Sequence, residues 1–204
     1  MFAAIKKYCE GLIPDFSTIS EERKTGLEKI AGYIKEKISE GQSANLVYIC
    51  THNSRRSQFG QIWAKVAANY YNIAGINTFS GGTQATAFHK NAINALMRAG
   101  FRIQAMGFDE NPIYLVHYDD KAKPIECFSK VFDNKKNPSK DFAAIMTCGE
   151  AEENCPLVPG SDLRISSTYE DPKIFDNTGM EKAKYDQKCR QIALETFYIF
   201  SKTK

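Results

Sequence analysis

The 204-residue chain is 43% hydrophobic and 25% charged, with a formal net charge of +3, the composition of an ordinary globular protein long enough to bury a core. So small a positive balance favours anionic ligands only weakly and gives no reason to expect nucleic acid. No apolar run reaches the length of a membrane span, and the start MFAAIKKYCEGLIPDF lacks the apolar segment and cleavage pattern of a signal peptide, so a cytoplasmic protein without membrane contact is expected.

Residues 1–42 read as a helical extension preceding an α/β domain over 43–204. TISE at 18–21 has the form of a capping box with Thr18 as N-cap and Glu21 reaching back. Leu27, Ile30, Ile34 and Ile38 then recur at helical spacing until Gly41 supplies a stop. From Asn45 the pattern becomes strand and helix in alternation, which predicts a three-layer α/β/α domain with a mostly parallel sheet. LVYIC (46–50) reads as a buried strand, and Phe59, Ile62, Trp63, Val66 and Tyr70 put an apolar stripe on the helix that follows. INTFS (76–80) is a short second strand, and NAINALMRAG (91–100) a helix closed by Gly100. IYLVHY (113–118) and CFSKVFD (127–133) are compatible with a hairpin around DDKAKP, and DNKKNPSKD (133–141) with a solvated loop. FAAIMTC (142–148) is another buried strand ending in a cysteine. The closing helix carries Tyr185, Cys189, Ile192, Ala193, Thr196, Phe197 and Phe200 along one face.

Six cysteines stand at positions 9, 50, 127, 148, 155 and 189. In a mid-sized chain without an export signal, catalytic, redox or simply buried thiols are expected before a disulfide framework. Cys50 opens the segment CTHNSRRS (50–57) between a strand and a helix. There, successive backbone N–H groups of Thr51, His52, Asn53, Ser54 and Arg55 and the helix N-terminus can converge on an anion. The same donors would stabilise a Cys50 thiolate and so raise its nucleophilicity. Arg56 can bind two oxygens of a tetrahedral oxyanion through its planar fork, and Ser57 can donate its hydroxyl to the thiolate. The bland alternative is a buried cysteine beside two surface arginines. Neither a metal nor a cofactor is needed for this chemistry, and none is expected.

The segment 46–71, with its Cys-x5-Arg-Ser loop after the first strand, resembles the start of the low-molecular-weight protein tyrosine phosphatase superfamily. FSGGTQATAFHKNAINALMRAGF (79–101) is similar to the stretch that follows in that family. The resemblance implies a nucleophilic Cys50, and a Ser80 that supports the loop residue Asn53. It also implies a general acid at Asp171, from the Asp171-Pro172 pair, with Glu170 and Asp176 as neighbouring acids. His52 stands where the family commonly has glycine, and Arg55 where many relatives have a second cysteine. Arg55 is then either extra positive charge at the mouth or a solvated rim residue. Lys173 follows the Asp-Pro pair where phosphotyrosine-specific members usually have an aromatic residue.

TCGEAEENCP (147–156) places Cys155 seven residues after Cys148, a spacing that suits neither a CxxC redox pair nor a zinc knuckle. The segment resembles the redox segment of the thioredoxin-coupled arsenate reductases, which share the phosphatase fold. That resemblance implies attack of Cys148 on Cys50 and of Cys155 on Cys148, leaving a disulfide for thioredoxin. Three functions stay open from the sequence: arsenate reduction, hydrolysis of phosphotyrosine protein or another phosphomonoester, and non-catalytic binding of an oxyanion or phosphopeptide. Cys9, Cys127 and Cys189 read as structural thiols, Trp63 as core, and His89 and His117 as histidines without nameable partners.

Overall fold

The computed structural model describes residues 1–154 and 157–203. Four parallel strands form the central sheet: β1 (Ala44–Cys50), β2 (Ile76–Gly82), β6 (Phe142–Met146) and β7 (Ser161–Ser166), in the order β2-β1-β6-β7. Side chains alternate across a strand, so Leu46 and Tyr48 enter one apolar core and Val47 and Ile49 a second. Burial on both faces is why β1 reads as an unbroken apolar run.

The larger core lies under α3 (Arg56–Tyr70) and α6 (Glu181–Ser201), with Phe59, Ile62, Trp63, Tyr185, Phe197 and Phe200 fully buried. Here the N-terminal segment docks. In α1 (Ala3–Glu10) Ile5 and Cys9 are buried, and Tyr8 stacks on Trp63 with ring centroids 5.1 Å apart. In α2 (Glu21–Ser39) Leu27, Ile30 and Ile34 join the same core. The apolar stripe seen in the sequence is therefore covered by the α/β unit itself, except at its end, where Ile38 is exposed. α4 (Lys90–Arg98) packs against α6. The smaller core lies under the short helix α5 (Gly149–Asn154), where Ala151 meets Ala144, Met146 and Cys148.

The helix start at 18–21 differs from expectation. Thr18 closes a 3-10 turn (Ile13–Thr18), its hydroxyl donating to the Asp15 carbonyl at 2.7 Å. Ser20 is the N-cap of α2, accepting the Arg23 amide at 3.3 Å; Pro14 starts a separate turn that uses Thr18 locally. Gly41 does close the helix, with φ +71°, a region open to glycine at little cost.

A hairpin forms from β4 (Ile113–His117), but its second strand is β5 (Ile125–Cys127) rather than the expected 127–133, which leaves the sheet after Cys127 and makes only an isolated bridge from Val131 to Gly82. β3 (Arg102–Met106) extends the pair into a three-stranded antiparallel sheet. Neither β3 nor β7 stands out in the sequence, because β3 is largely exposed, β7 is only half-buried and both lack an apolar run. The segment expected to be a solvated loop is anchored: Asn137 is buried and donates to the carbonyls of Ser80 and Phe132, each at 3.0 Å. Among the described residues no helix is long and apolar enough to cross a membrane.

Candidate oxyanion site

Residues 51–55 connect the end of β1 to the start of α3 and turn their carbonyls outward. Thr51 accepts from the Gln84 amide at 2.8 Å, His52 from Ser129 Oγ at 2.8 Å, Asn53 from Gln58 Nε2 at 2.9 Å, and Ser54 from the His89 amide at 3.0 Å. No amide of residues 52–55 donates a hydrogen bond among the described residues. The result is a nest of backbone donors at a helix N-terminus, an arrangement suited to an anion.

Cys50, 3% exposed, lies in this loop with Sγ 3.0 Å from Ser57 Oγ. Asn53 donates to Ser57 Oγ at 2.8 Å and holds a left-handed φ of +46°, which asparagine tolerates better than most residues. Its carboxamide oxygen accepts the Lys130 amide at 3.0 Å. The expected support by Ser80 is not present: the Ser80 hydroxyl donates to Gln61 Oε1 at 2.5 Å. Ser80 lies on β2 beside Tyr48, whereas the segment 128–132 crosses the end of the sheet and reaches Asn53 first.

Arg56 donates from Nη1 to the Tyr169 carbonyl at 2.8 Å and from Nη2 to Asp171 Oδ2 at 2.5 Å, while its Nε is buried without a partner among the described residues. The other Asp171 oxygen accepts the Lys173 amide at 3.0 Å and caps the turn Pro172–Phe175. Cys148, 1% exposed, sits at the end of β6 with Sγ 3.3 Å from Thr51 Oγ1. The Thr51 hydroxyl also donates to Glu150 at 2.9 Å. Cys50, Thr51, Asn53, Arg56, Ser57, Cys148 and Asp171 are thus brought together. Cys155 lies outside the described residues.

Arg55 is neither a rim residue nor a charge at the mouth. It is buried, with Nε donating to the Tyr185 hydroxyl at 2.6 Å and Nη2 paired with Asp176 at 3.1 Å. Tyr185 donates to Asp176 at 2.6 Å. Burial opposes ionisation of Asp176, but the Tyr185 hydroxyl and the Arg55 guanidinium outweigh it and hold this carboxyl below its ordinary range. His89 has partners after all: it stacks on Tyr185 and lies 3.7 Å from Asp176. Burial, then the nearby Arg55, lowers its pKa. Burial pushes the thiols of Cys9, Cys127 and Cys189 up to about 12, as inert structural cysteines require. Ser129, Lys130 and Glu150 escaped the sequence reading, and Tyr185 was read only as part of the apolar face of the last helix. Nothing in their local spacing ties them to the loop.

No family model matches the chain. The curated arsenate reductase of Bacillus licheniformis is 26% identical over 159 residues, 78% of this chain and 95% of that protein. The arsenate reductase of Bacillus subtilis is 25% identical over 145 residues, 71% and 86% of the two chains. Among solved structures, an arsenate reductase in the phosphate binding state superposes with a TM-score of 0.51 at 17% identity, over 79% of this chain and 99% of that one. The low-molecular-weight protein tyrosine phosphatase of T. tengcongensis does so at 0.52 and 13% identity, over 78% and 99%. The chain therefore has the fold of the low-molecular-weight protein tyrosine phosphatases and is similar in sequence to the arsenate reductases.

Proposed function

We propose that the chain is a cytoplasmic arsenate reductase whose thiols relay electrons from thioredoxin. The observation that carries this reading is Cys148, buried against Thr51, the residue next to Cys50. Hydrolysis through a single thiolate does not require a second thiol there.

The Cys50 thiolate attacks arsenic(V) in the loop, forming an S–As bond and expelling water, while the amides of residues 51–55 and Arg56 hold the oxygens. Cys148 then attacks Cys50 Sγ. The S–As electron pair leaves with arsenite, and a Cys50–Cys148 disulfide remains. Cys155 attacks Cys148, releasing the Cys50 thiolate, and thioredoxin reduces the Cys148–Cys155 disulfide. A disulfide needs Cα atoms within about 7 Å, so each exchange requires its two cysteines to come that close.

The second reading is phosphomonoester hydrolysis, including phosphotyrosine protein, favoured by Asp171 against Arg56. There Asp171 protonates the leaving oxygen and then serves as base for water.

A single turnover of fully reduced protein with arsenate, quenched by acid and alkylation, separates the readings. Stoichiometric arsenite with a Cys148–Cys155 disulfide is expected. If no arsenite forms and both thiols remain alkylatable, the reductase reading fails. Hydrolysis of an aryl phosphate by the same sample would then support the phosphatase, and its absence a binding module.

A further inference from the structure

A cavity of about 380 Å³ lies on the far side of β2 and the segment 123–137, and none of residues 50–57 lines it. Four lysines do: Lys65, Lys123, Lys130 and Lys136. The only carboxylate among the lining residues is Glu126, paired with Lys136 at 3.3 Å. Three ammonium groups are left without a counter-charge in the cavity.

Lys130 is the anomaly. It is 5% exposed, and its ammonium makes no hydrogen bond among the described residues; it lies 4.7 Å from the centre of the Phe128 ring. Proteins rarely bury a lysine without pairing it. A ring face recovers only part of the lost hydration. Burial lowers the pKa of Lys130 to about 8, so it is still largely cationic near neutrality. Phe79, Phe128 and Pro124 supply apolar wall, and Asn137, also in the lining, keeps its Oδ1 buried without a partner among the described residues. Lysines are point charges without the planar fork of arginine. This chemistry therefore differs from that of the nucleophile loop and does not demand a tetrahedral oxyanion.

We propose that this cavity binds a small organic anion with a flat apolar body, of the aromatic carboxylate class, through Lys130 and Lys65 and against Phe79 and Phe128. The ligand supplies the counter-charge that the fold withholds from Lys130, and its ring takes the apolar wall.

The probe is benzoate, titrated calorimetrically into the full reduced chain, with acetate as the ligand lacking a ring. Lys130→Met preserves chain length and the backbone donor to Asn53 and removes a buried charge, so it should fold. Lys65→Gln is the second variant, and Arg56→Ala reports on the nucleophile loop. Benzoate should bind the wild type and Arg56→Ala alike, and bind Lys130→Met at least about tenfold more weakly. Lys65→Gln should weaken it several-fold, and acetate should bind at least about tenfold more weakly than benzoate. The proposal is overturned if benzoate does not bind at millimolar concentration or acetate binds as well. It is equally overturned if neither lysine substitution weakens binding, or if Arg56→Ala abolishes it.

Discussion

The Asp171 carboxylate closes on the Arg56 guanidinium at 2.5 Å, while Arg56 Nε is buried with no partner among the described residues. The guanidinium that would bind an oxyanion is thus held by the carboxylate that would act as acid. An anion entering the loop would compete with Asp171 for Nη2, and its arrival would free the carboxyl.

Asp171→Asn should lower hydrolysis of a phenyl phosphate by about 10²- to 10⁴-fold, the usual worth of a positioned acid. Affinity for inorganic phosphate should hold or rise, since the amide competes less for Arg56 than the carboxylate does. Steady-state kinetics with phosphate as inhibitor reads both. An unchanged rate would remove Asp171 from the chemistry.

Asn53 and Ser80 should separate cleanly. Asn53→Ala loses the contacts to Ser57 and Lys130 and should weaken phosphate binding by about tenfold or more. Ser80→Ala leaves Gln61 Oε1 without its donor and should cost about 1–3 kcal/mol of stability. Its phosphate affinity should stay unchanged. Calorimetric titration and urea denaturation distinguish the two.

Gly82 meets the loop directly. A Cβ there would stand 2.6 Å from the Thr51 carbonyl and 2.8 Å from the Asn53 amide. Both are backbone atoms that cannot rotate away. Gly82→Ala should destabilise the fold by about 1–3 kcal/mol and reduce oxyanion affinity, because the amide of Asn53 must shift. A variant as stable and as tight-binding as wild type would contradict this contact.

Asp176 sets an acid limit. Its carboxyl is held below the ordinary range when folded, so its contribution is present above the unfolded carboxylate pKa and lost as pH falls through the folded one. Wild type should exceed Asp176→Asn in stability at neutral pH. The gap should close under acid conditions as the carboxyl protonates. Parallel urea titrations at several pH values measure it.

Lys130 predicts a slope of the same sign in the alkaline range. Its folded pKa of about 8 lies below the ordinary 10.5. Above pH 8 the folded state releases a proton that the unfolded chain keeps, and stability rises with pH across that interval. At pH 7 both states hold the proton and the full cost of the buried charge remains. Lys130→Met should therefore be more stable than wild type near neutrality, with the advantage shrinking towards pH 10. A pH-independent difference would show that the Lys130 ammonium is not buried as described.

The sequence by itself determined whatever depends on neighbours along the chain. Apolar runs buried on both faces marked β1 and β6, and a 3.6-residue stripe marked α2, α3 and α6. A cysteine, five residues, an arginine and a serine at a strand-to-helix junction marked the anion loop, because those groups lie within reach of one another through local geometry alone. Strands β3 and β7 were not legible, since edge exposure erases the pattern.

Only the tertiary structure decided which distant groups serve the loop. Lys130 rather than Ser80 holds Asn53, because the segment after β5 crosses the end of the sheet. Arg55 turned from a surface charge into a buried link, because Tyr185 and Asp176 arrive from the far end of the chain. Cys148 reached Thr51 because parallel pairing of β1 with β6 brings the two strand ends together. Such contacts join residues some 70 to 130 positions apart. They follow from strand order and helix docking, which no local periodicity encodes.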